Sequence, residues 1–317
     1  MQVTDTSGAL VYQWIENWAK TPDTESTQAN GRTHGVAESR SGDVYVFHQA
    51  QPAVLVYGQD GSLIRSFSHD FPGAHGLALV DEGGAERLWL TDEGTGLVAK
   101  LNLEGEVLQT LARPDHPIYG ESRYAPTWVA VEPVSGDIWV TDGYGAGLIH
   151  RFTSGGDYIN SLDGEEPNGA GRFACPHAVW FDVRGGKEPE LYVADRGNKR
   201  IQVFGADGTF KRVFGADFLV HPCAFASYGD FLYIPELFGR LAVLNSNDEL
   251  IGYVGSDDEI VGDGGWPSVP DYPNPPADRV VPGKFIAPHG VGTGADGSVY
   301  VVEWYYPGGR ITRLKPV

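Results

Sequence analysis

A six-fold repeat of short, aromatic-rich strands predicts an all-β chain folded as a six-bladed β-propeller. Three observations carry this. The composition is turn-rich and strand-rich: 43 glycines among 317 residues, with 8 Trp, 15 Tyr and 14 Phe, the balance expected of many tight turns between many half-buried strands. A strand pattern recurs at VYVFHQ (44–49), LWLTDE (88–93), IWVTDG (138–143), LYVADR (191–196), LYIPEL (232–237) and VYVVEW (299–304). The sixth unit ends without a fourth strand, and YQWIENWA (12–19) has the length and pattern to supply it. Pairing the first strand with the last blade would remove both open sheet edges.

Each unit reads in the same order. A first strand follows a polar residue (THGVA, AHGLA, APTWVA, PHAVW, HPCAF, PHGVG), and the aromatic second strand follows a Gly or Asp turn. Third strands read AVLVY, LVAKL, LIHRF, RIQVF, LAVL and RITRL. Fourth strands follow turns such as QDGS, LEGE and ADGT. Six units give about 53 residues each, the size of a four-stranded propeller blade with its loops. The expectation is one domain spanning residues 1–317. Its largest interruption is 256–285, rich in Pro, Gly and Asp, a long inter-blade loop placed to act as a lid. Shorter insertions at 115–124 and 164–172 also precede first strands.

The formal net charge of −19 repels phosphate backbones and anionic lipid, so neither a nucleic acid nor a membrane is expected as partner. No apolar run reaches 18 residues and no signal peptide is visible, which gives a cytoplasmic expectation. Two cysteines, Cys175 and Cys223, make no disulfide framework.

The chemistry concentrates at the start of the first strands. One register holds His34, His75, Thr127, His177, Cys223 and His289. First strands line a propeller's channel, so these side chains should converge on its axis. His75, His177 and His289 fall on alternate blades, and three neutral imidazoles about 120° apart can hold one metal ion with a position left open, as in catalytic zinc sites. His34 is a candidate fourth ligand, and a four-His set favours iron or copper over zinc. A small buried thiol is the expectation for Cys223.

A second register follows the second strands: Asp92, Asp142, Asp195, Glu236 and Glu303, with His48 in the sixth place. The aspartates should fix the next loop through backbone hydrogen bonds. The longer Glu236 and Glu303 depart from the repeat and are candidates for acid–base or ligand-orienting roles. Tyr144 (TDGYG) is a candidate base and Arg196 (ADRGN) a candidate anion clamp. Trp128, Trp180, Trp266 and Trp304 are candidates for the wall of an apolar pocket. No G-x-S-x-G, P-loop, CxxC or HExxH pattern occurs.

ADRGNKRIQVF (194–204), TDGYGAGLIHRF and VYVVEWYYPGGRITRL resemble NHL repeats. The set AHGLA, TDGYG, CPHAV followed by ADRGNKRIQVF, and APHGV resembles the peptidyl-α-hydroxyglycine α-amidating lyases over about residues 34–314. That resemblance implies a zinc ion on His75, His177 and His289, a catalytic tyrosine at Tyr144 and an active-site arginine at Arg196. It implies cleavage of a carbinolamide, N–C–OH, into an amide and an aldehyde. The chain departs from the lyases at Gln49, where they carry an arginine, and at Gly290, where they carry a calcium-binding aspartate, so calcium has weak support. Loop disulfides are missing and His34 is extra.

The expected function is therefore a metal-dependent lyase, or a related hydrolase, acting on a small hydroxylated substrate. Two alternatives stand beside it: a four-His iron or copper oxygenase, and a non-catalytic NHL module for protein interaction.

Overall fold

The computed structural model describes residues 1–317 apart from 69, 166–168, 263–276 and 306. Six antiparallel sheets account for nearly all the regular structure, and the fold class is the six-bladed β-propeller that the repeat predicts. Blade one is built from Thr33–Glu38, Val44–His48, Val54–Tyr57 and Leu63–Phe67. Blade two is Ala74–Glu82, Ala85–Asp92, Leu97–Leu101 and Val107–Leu111. Blade three is Trp128–Val131, Ile138–Thr141, Ile149–Phe152 and Tyr158–Leu162. Blade four is Pro176–Asp182, Glu190–Asp195, Arg200–Gly205 and Phe210–Phe214. Blade five is Ala226–Tyr228, Phe231–Glu236, Arg240–Leu244 and Leu250–Val254. Blade six takes Pro288–Thr293, Val299–Glu303 and Ile311–Pro316 from the far end of the chain and Val11–Ala19 from the beginning.

Val11–Ala19 pairs with Ile311–Pro316, Trp14 opposite Leu314 and Ala19 opposite Ile311, across a register shift between Ile15 and Ala19. A further strand, Gln2–Thr4, adds to its outer edge with Val3 opposite Tyr12. Three residues carry too short a pattern for the sequence to have marked this fifth strand.

The chain divides into two compact units. One holds Met1–Asp70 with Cys223–Val317, and so blades five, six and one. The other is Phe71–Pro222, blades two, three and four. Second and third strands form the core of each. Their residues are buried on both faces, as in Val44–His48 and Arg240–Leu244, so they read as apolar runs rather than alternating ones. Fourth strands are mostly solvated, with Ile64 and Val107 more than half exposed.

One aromatic per second strand anchors every blade: Tyr45, Trp89, Trp139, Tyr192, Tyr233 and Tyr300, none more than 2% exposed. A buried Tyr or Trp needs a partner for its polar tip, and most blades supply one. Arg65 donates to the Tyr45 hydroxyl at 3.0 Å, Trp89 Nε1 donates to Glu82 at 2.9 Å, and Arg212 donates to the Tyr192 hydroxyl at 2.8 Å. Cations from neighbouring strands also lie over these rings, with Lys100 5.3 Å from Trp89, Arg151 5.3 Å from Trp139 and Arg313 5.5 Å from Tyr300.

Helix is limited to short turns, and among the described residues no helix is long and apolar enough to cross a membrane. In the expected lid, Asp258–Gly262 forms one helical turn and Ala277–Arg279 a 3-10 turn. Residues 263–276 of that segment, Trp266 among them, lie outside the described residues.

Candidate functional site

The channel histidines enter the fold by one local device. His34, His75, His177 and His289 are each the second residue of a first strand, rather than the residue before it as the sequence suggested. In every case the register shifts by one at that point. Pairing passes from Thr33–His48 to Gly35–Phe47, from Ala74–Asp92 to Leu77–Leu90, from Pro176–Asp195 to Val179–Val193, and from Pro288–Glu303 to Gly290–Val302. Such a bulge puts two residues opposite one and re-aims a side chain out of the pleat. Thr127 and Cys223, in the same repeat position, precede their strands.

A backbone carbonyl then fixes the ring. His75 Nδ1 lies 2.7 Å from the Thr127 carbonyl, on the next blade, and His289 Nδ1 lies 3.1 Å from the His34 carbonyl. A carbonyl only accepts, so Nδ1 carries the proton and Nε2 keeps its lone pair. The glycine after each of these histidines makes the approach possible. A Cβ on Gly76 would meet the Thr127 oxygen at 2.5 Å, and one on Gly290 would meet the His34 oxygen at 2.2 Å. Gly290 is thus packed too tightly against the neighbouring blade for the aspartate that calcium binding requires in the lyases.

In the Phe71–Pro222 unit these elements build a polar cluster. His75 and His177 are fully buried, and their ring centroids are 4.7 Å apart. The Tyr144 hydroxyl lies between them, 3.2 Å from His75 Nε2 and 3.1 Å from His177 Nε2. Arg196 Nη1 donates to the same hydroxyl at 3.2 Å, with the guanidinium carbon 5.2 Å from the Tyr144 ring centre. Arg196 Nη2 donates to Cys175 Sγ at 3.3 Å.

The loops carrying these groups are held by the Asp register. Asp142 accepts from the Ala125 and Ala146 backbone N–H groups and from the Tyr119 hydroxyl, framing the turn that presents Tyr144. Asp195 accepts from the Ala174 N–H, Asn198 and Arg200, fixing the 3-10 turn Arg196–Asn198. Asp92 accepts from the Gly73 and Thr95 N–H groups. Burial pushes the His75 pKa down to about 3, against the Thr127 hydrogen bond and with the help of Arg196. His221, half-buried nearby, is pushed down to about 3 by burial and by Arg196 and Lys199. Both rings are therefore neutral at pH 7, the form that binds metals.

In the other unit His34 and His289 are nearly fully buried, centroids 4.5 Å apart and edge to face. Trp304 stands 6.3 Å from His34, and the Arg32 guanidinium lies 4.5 Å over its indole. Cys223 is fully buried among Leu237, Ile260, Ile286 and Ala287. Glu303 does the same work as the aspartates: it accepts from the Ile286 and Ala287 N–H groups just ahead of Pro288–Thr293, and pairs with buried Arg310. Glu236 pairs with Arg240 at 3.2 Å. Each acid thus meets an arginine across its own loop, as Asp195 meets Arg200 at 2.8 Å. The sequence reading missed Cys175, His221 and Arg32 as neighbours of the site. Their only signal is position, Cys175 and Arg32 each standing two residues before a channel histidine.

No protein-family model matches the chain. It is 32% identical to human NHL repeat-containing protein 3 over 213 residues, 62% of this chain and 58% of the relative. It is 32% identical to the mouse protein of that name over 237 residues, 68% of this chain and 65% of the relative. The matched region thus spans less than two thirds of either relative's length. Peptidyl-glycine alpha-amidating monooxygenase B of Xenopus laevis is 31% identical over 238 residues, 72% of this chain and 24% of that protein. Among solved structures, a streptogramin B lyase aligns with a TM-score of 0.62 and 16% identity over 96% of this chain and 98% of that one. A gluconolactonase from Xanthomonas campestris aligns with 0.63 and 14% identity over 100% and 95%. These define the class as a β-propeller with NHL repeats. Within it, the chain is similar in sequence to NHL repeat-containing protein 3 and to the amidating monooxygenases.

Proposed function

We infer that the chain is a metal-dependent lyase that cleaves a small carbinolamide, N–C–OH, into an amide and an aldehyde. The observation that carries this reading is the Tyr144 hydroxyl, held within 3.2 Å of two buried imidazole nitrogens and an arginine. The ligand set of this proposal rests on the sequence register alone, in which His75, His177 and His289 fall on alternate blades. Their donor chemistry suits a borderline cation such as Zn2+: with Nδ1 of His75 and His289 held by carbonyls, Nε2 is the nitrogen that would meet an ion, in His75 by displacing the Tyr144 hydroxyl 3.2 Å away. Such an ion, when bound, polarises the substrate oxygen.

The protein groups perform the proton work. Tyr144 Oη, as a phenolate that has already released its own proton to solvent, takes the proton of the substrate hydroxyl as that carbon's oxygen becomes a carbonyl. The C–N bond breaks with its electron pair going to nitrogen, which then receives the proton. Arg196 offsets the negative charge on the phenol oxygen and holds it in line. The test uses N-benzoyl-α-hydroxyglycine, following benzamide and glyoxylate release by protein of known metal content. Turnover that disappears on chelation and returns with zinc supports the reading. Tyr144→Phe should lower kcat about 10²- to 10⁴-fold. A metallated wild type with no turnover overturns it.

A four-His site is the second reading, favoured by the edge-to-face packing of His34 on His289. Iron or copper in the purified protein, lost with His34→Ala, would select it over the three-His zinc lyase.

A further inference from the structure

His150 is a buried histidine that the chemistry described above leaves unused. It lies in the third strand of blade three, Ile149–Phe152, directly opposite Ser161 on the outer strand. The equivalent position is Leu55 in blade one and Ala99 in blade two, so the strand itself asks for no polar group there. His150 Nδ1 lies 2.7 Å from Ser161 Oγ, and Nε2 lies 2.6 Å from the Tyr119 hydroxyl. The Tyr158 hydroxyl is 2.7 Å from Ser161 Oγ, and Tyr119 donates to Asp142 at 2.7 Å. All five residues belong to the Phe71–Pro222 unit, and His150 and Asp142 are fully buried.

One assignment of protons satisfies every atom in this row. A carboxylate accepts, so Tyr119 gives its proton to Asp142 and accepts the Nε2–H of His150. Nδ1 then keeps its lone pair and takes the Ser161 hydroxyl, whose oxygen takes that of Tyr158. Burial, with His116 nearby, pushes His150 down to about 3, so the ring is neutral as the assignment requires. Burial and the Asp142 charge push the Tyr119 phenol above its ordinary range, so it stays a donor. Tyr119 sits in the 3-10 turn Pro117–Gly120, and the same segment runs on to Tyr144. Arg123 Nε donates to the Tyr144 carbonyl at 3.1 Å, and the Tyr144 N–H donates to the Ala125 carbonyl at 3.4 Å. A Cβ on Gly145 would meet the Arg123 carbonyl at 2.5 Å. Asp142 is the joint between the two, taking the Ala125 N–H at 2.7 Å and the Ala146 N–H at 2.6 Å.

We propose that Tyr119 is a positioning residue for Tyr144: its hydroxyl, oriented by His150, clamps Asp142, and Asp142 fixes the turn that holds the Tyr144 hydroxyl between His75 and His177. The catalytic consequence rests on the lyase reading; the placement of Tyr144 does not. The test labels the protein with 3-fluorotyrosine and assigns the Tyr144 fluorine resonance by its loss in Tyr144→Phe. At fixed pH and metal content, Tyr119→Phe should shift that resonance. It should also lower kcat for N-benzoyl-α-hydroxyglycine about 10- to 100-fold, the span of a misplaced reacting group, with KM nearly unchanged.

Tyr300→Phe is the control. It also deletes a buried phenol that donates to a carboxylate, Glu38 at 2.8 Å, in the other unit. It should lower Tm while leaving the Tyr144 resonance and kcat as they are. Thermal melting checks the folding of each variant. If Tyr119→Phe does not fold, His150→Leu carries the test. It installs the residue blade one uses, keeps the bond from Tyr119 to Asp142 and removes the ring that orients it, so the same resonance should shift by less. An unmoved Tyr144 resonance in the variant that carries the test, or an equal shift in Tyr300→Phe, overturns the assignment. So does a shifted resonance with unchanged kcat in an enzyme that turns over. A metallated wild type without turnover, in which Tyr119→Phe still shifts the resonance, ends the lyase reading and leaves the placement of Tyr144 standing. Full turnover in Tyr119→Phe with an unmoved resonance does the reverse.

Discussion

Replacing Glu303 by glutamine separates a structural carboxylate from a catalytic one. Glu303 is fully buried and Arg310 is 1% exposed. One carboxylate oxygen accepts the Ile286 and Ala287 N–H groups and the other meets Arg310. The amide keeps an acceptor for the two N–H groups but turns an N–H toward the guanidinium. Breaking a buried pair from one side costs about 3–5 kcal/mol. Arg310 also reaches Glu16 at 3.1 Å and the Val281 carbonyl at 3.1 Å, so the lower end, about 3 kcal/mol, applies. With an unfolding entropy of about 2.1 cal/mol/K per residue, that lowers Tm by about 4–5 °C if all residues melt together. The fall is roughly twice as large if the unit holding the pair, about half the chain, melts alone. Scanning calorimetry reads both the shift and the number of transitions. A variant with wild-type Tm and no turnover would refute this reasoning and return Glu303 to the list of proton-transfer groups.

Two further outcomes follow from the geometry. Burial alone would raise the Glu190 pKa, but hydrogen bonds from Arg212 and Lys211 hold it down at about 2, below its ordinary 4.5. A depressed carboxylate contributes stability in full above its unfolded value and loses it as pH falls from about 4.5 toward 2. Wild type should therefore exceed Glu190→Gln by about 1–2 kcal/mol in urea unfolding at pH 6, with the gap narrowing below pH 4.5 and closing only near pH 2, and a gap independent of pH would contradict the assignment. Gly290→Ala would drive a methyl onto the His34 carbonyl; it should cost about 1–3 kcal/mol and weaken metal retention in dialysis against chelator, whereas an undisturbed Tm would show that the two strands separate freely.

The fold was legible because the repeat is physical. Each second strand carries a buried aromatic at one repeated position, and the six of them from Tyr45 to Tyr300 mark the blades in the sequence. The His-Gly pairs were legible for a similar reason, since glycine there marks a neighbouring backbone. Other features lie in pairings between loops that no local pattern encodes. Arg196 meets Cys175 because Asp195 folds its turn back onto residue 174, and Arg32 meets Trp304 through a hydrogen bond from Thr33 to a strand 270 residues away. The change from Asp to Glu at 236 and 303 reads in the sequence as an invitation to chemistry. In three dimensions both glutamates pair with arginines across their own loops, Arg240 and Arg310, as Asp195 does with Arg200.

The pairing of Val11–Ala19 with Ile311–Pro316 also sets an order of events at the ribosome. Blades two to four draw every strand from one continuous stretch, so that unit can mature while the chain is still being made. Blade six must wait for Ile311–Pro316 to emerge, with Trp14 and Trp18 uncovered in the meantime. Joining ends so far apart is the slowest closure this topology contains. Sheltering Val11–Ala19 until Ile311–Pro316 is made would therefore speed maturation more than sheltering a strand whose partners lie close in sequence.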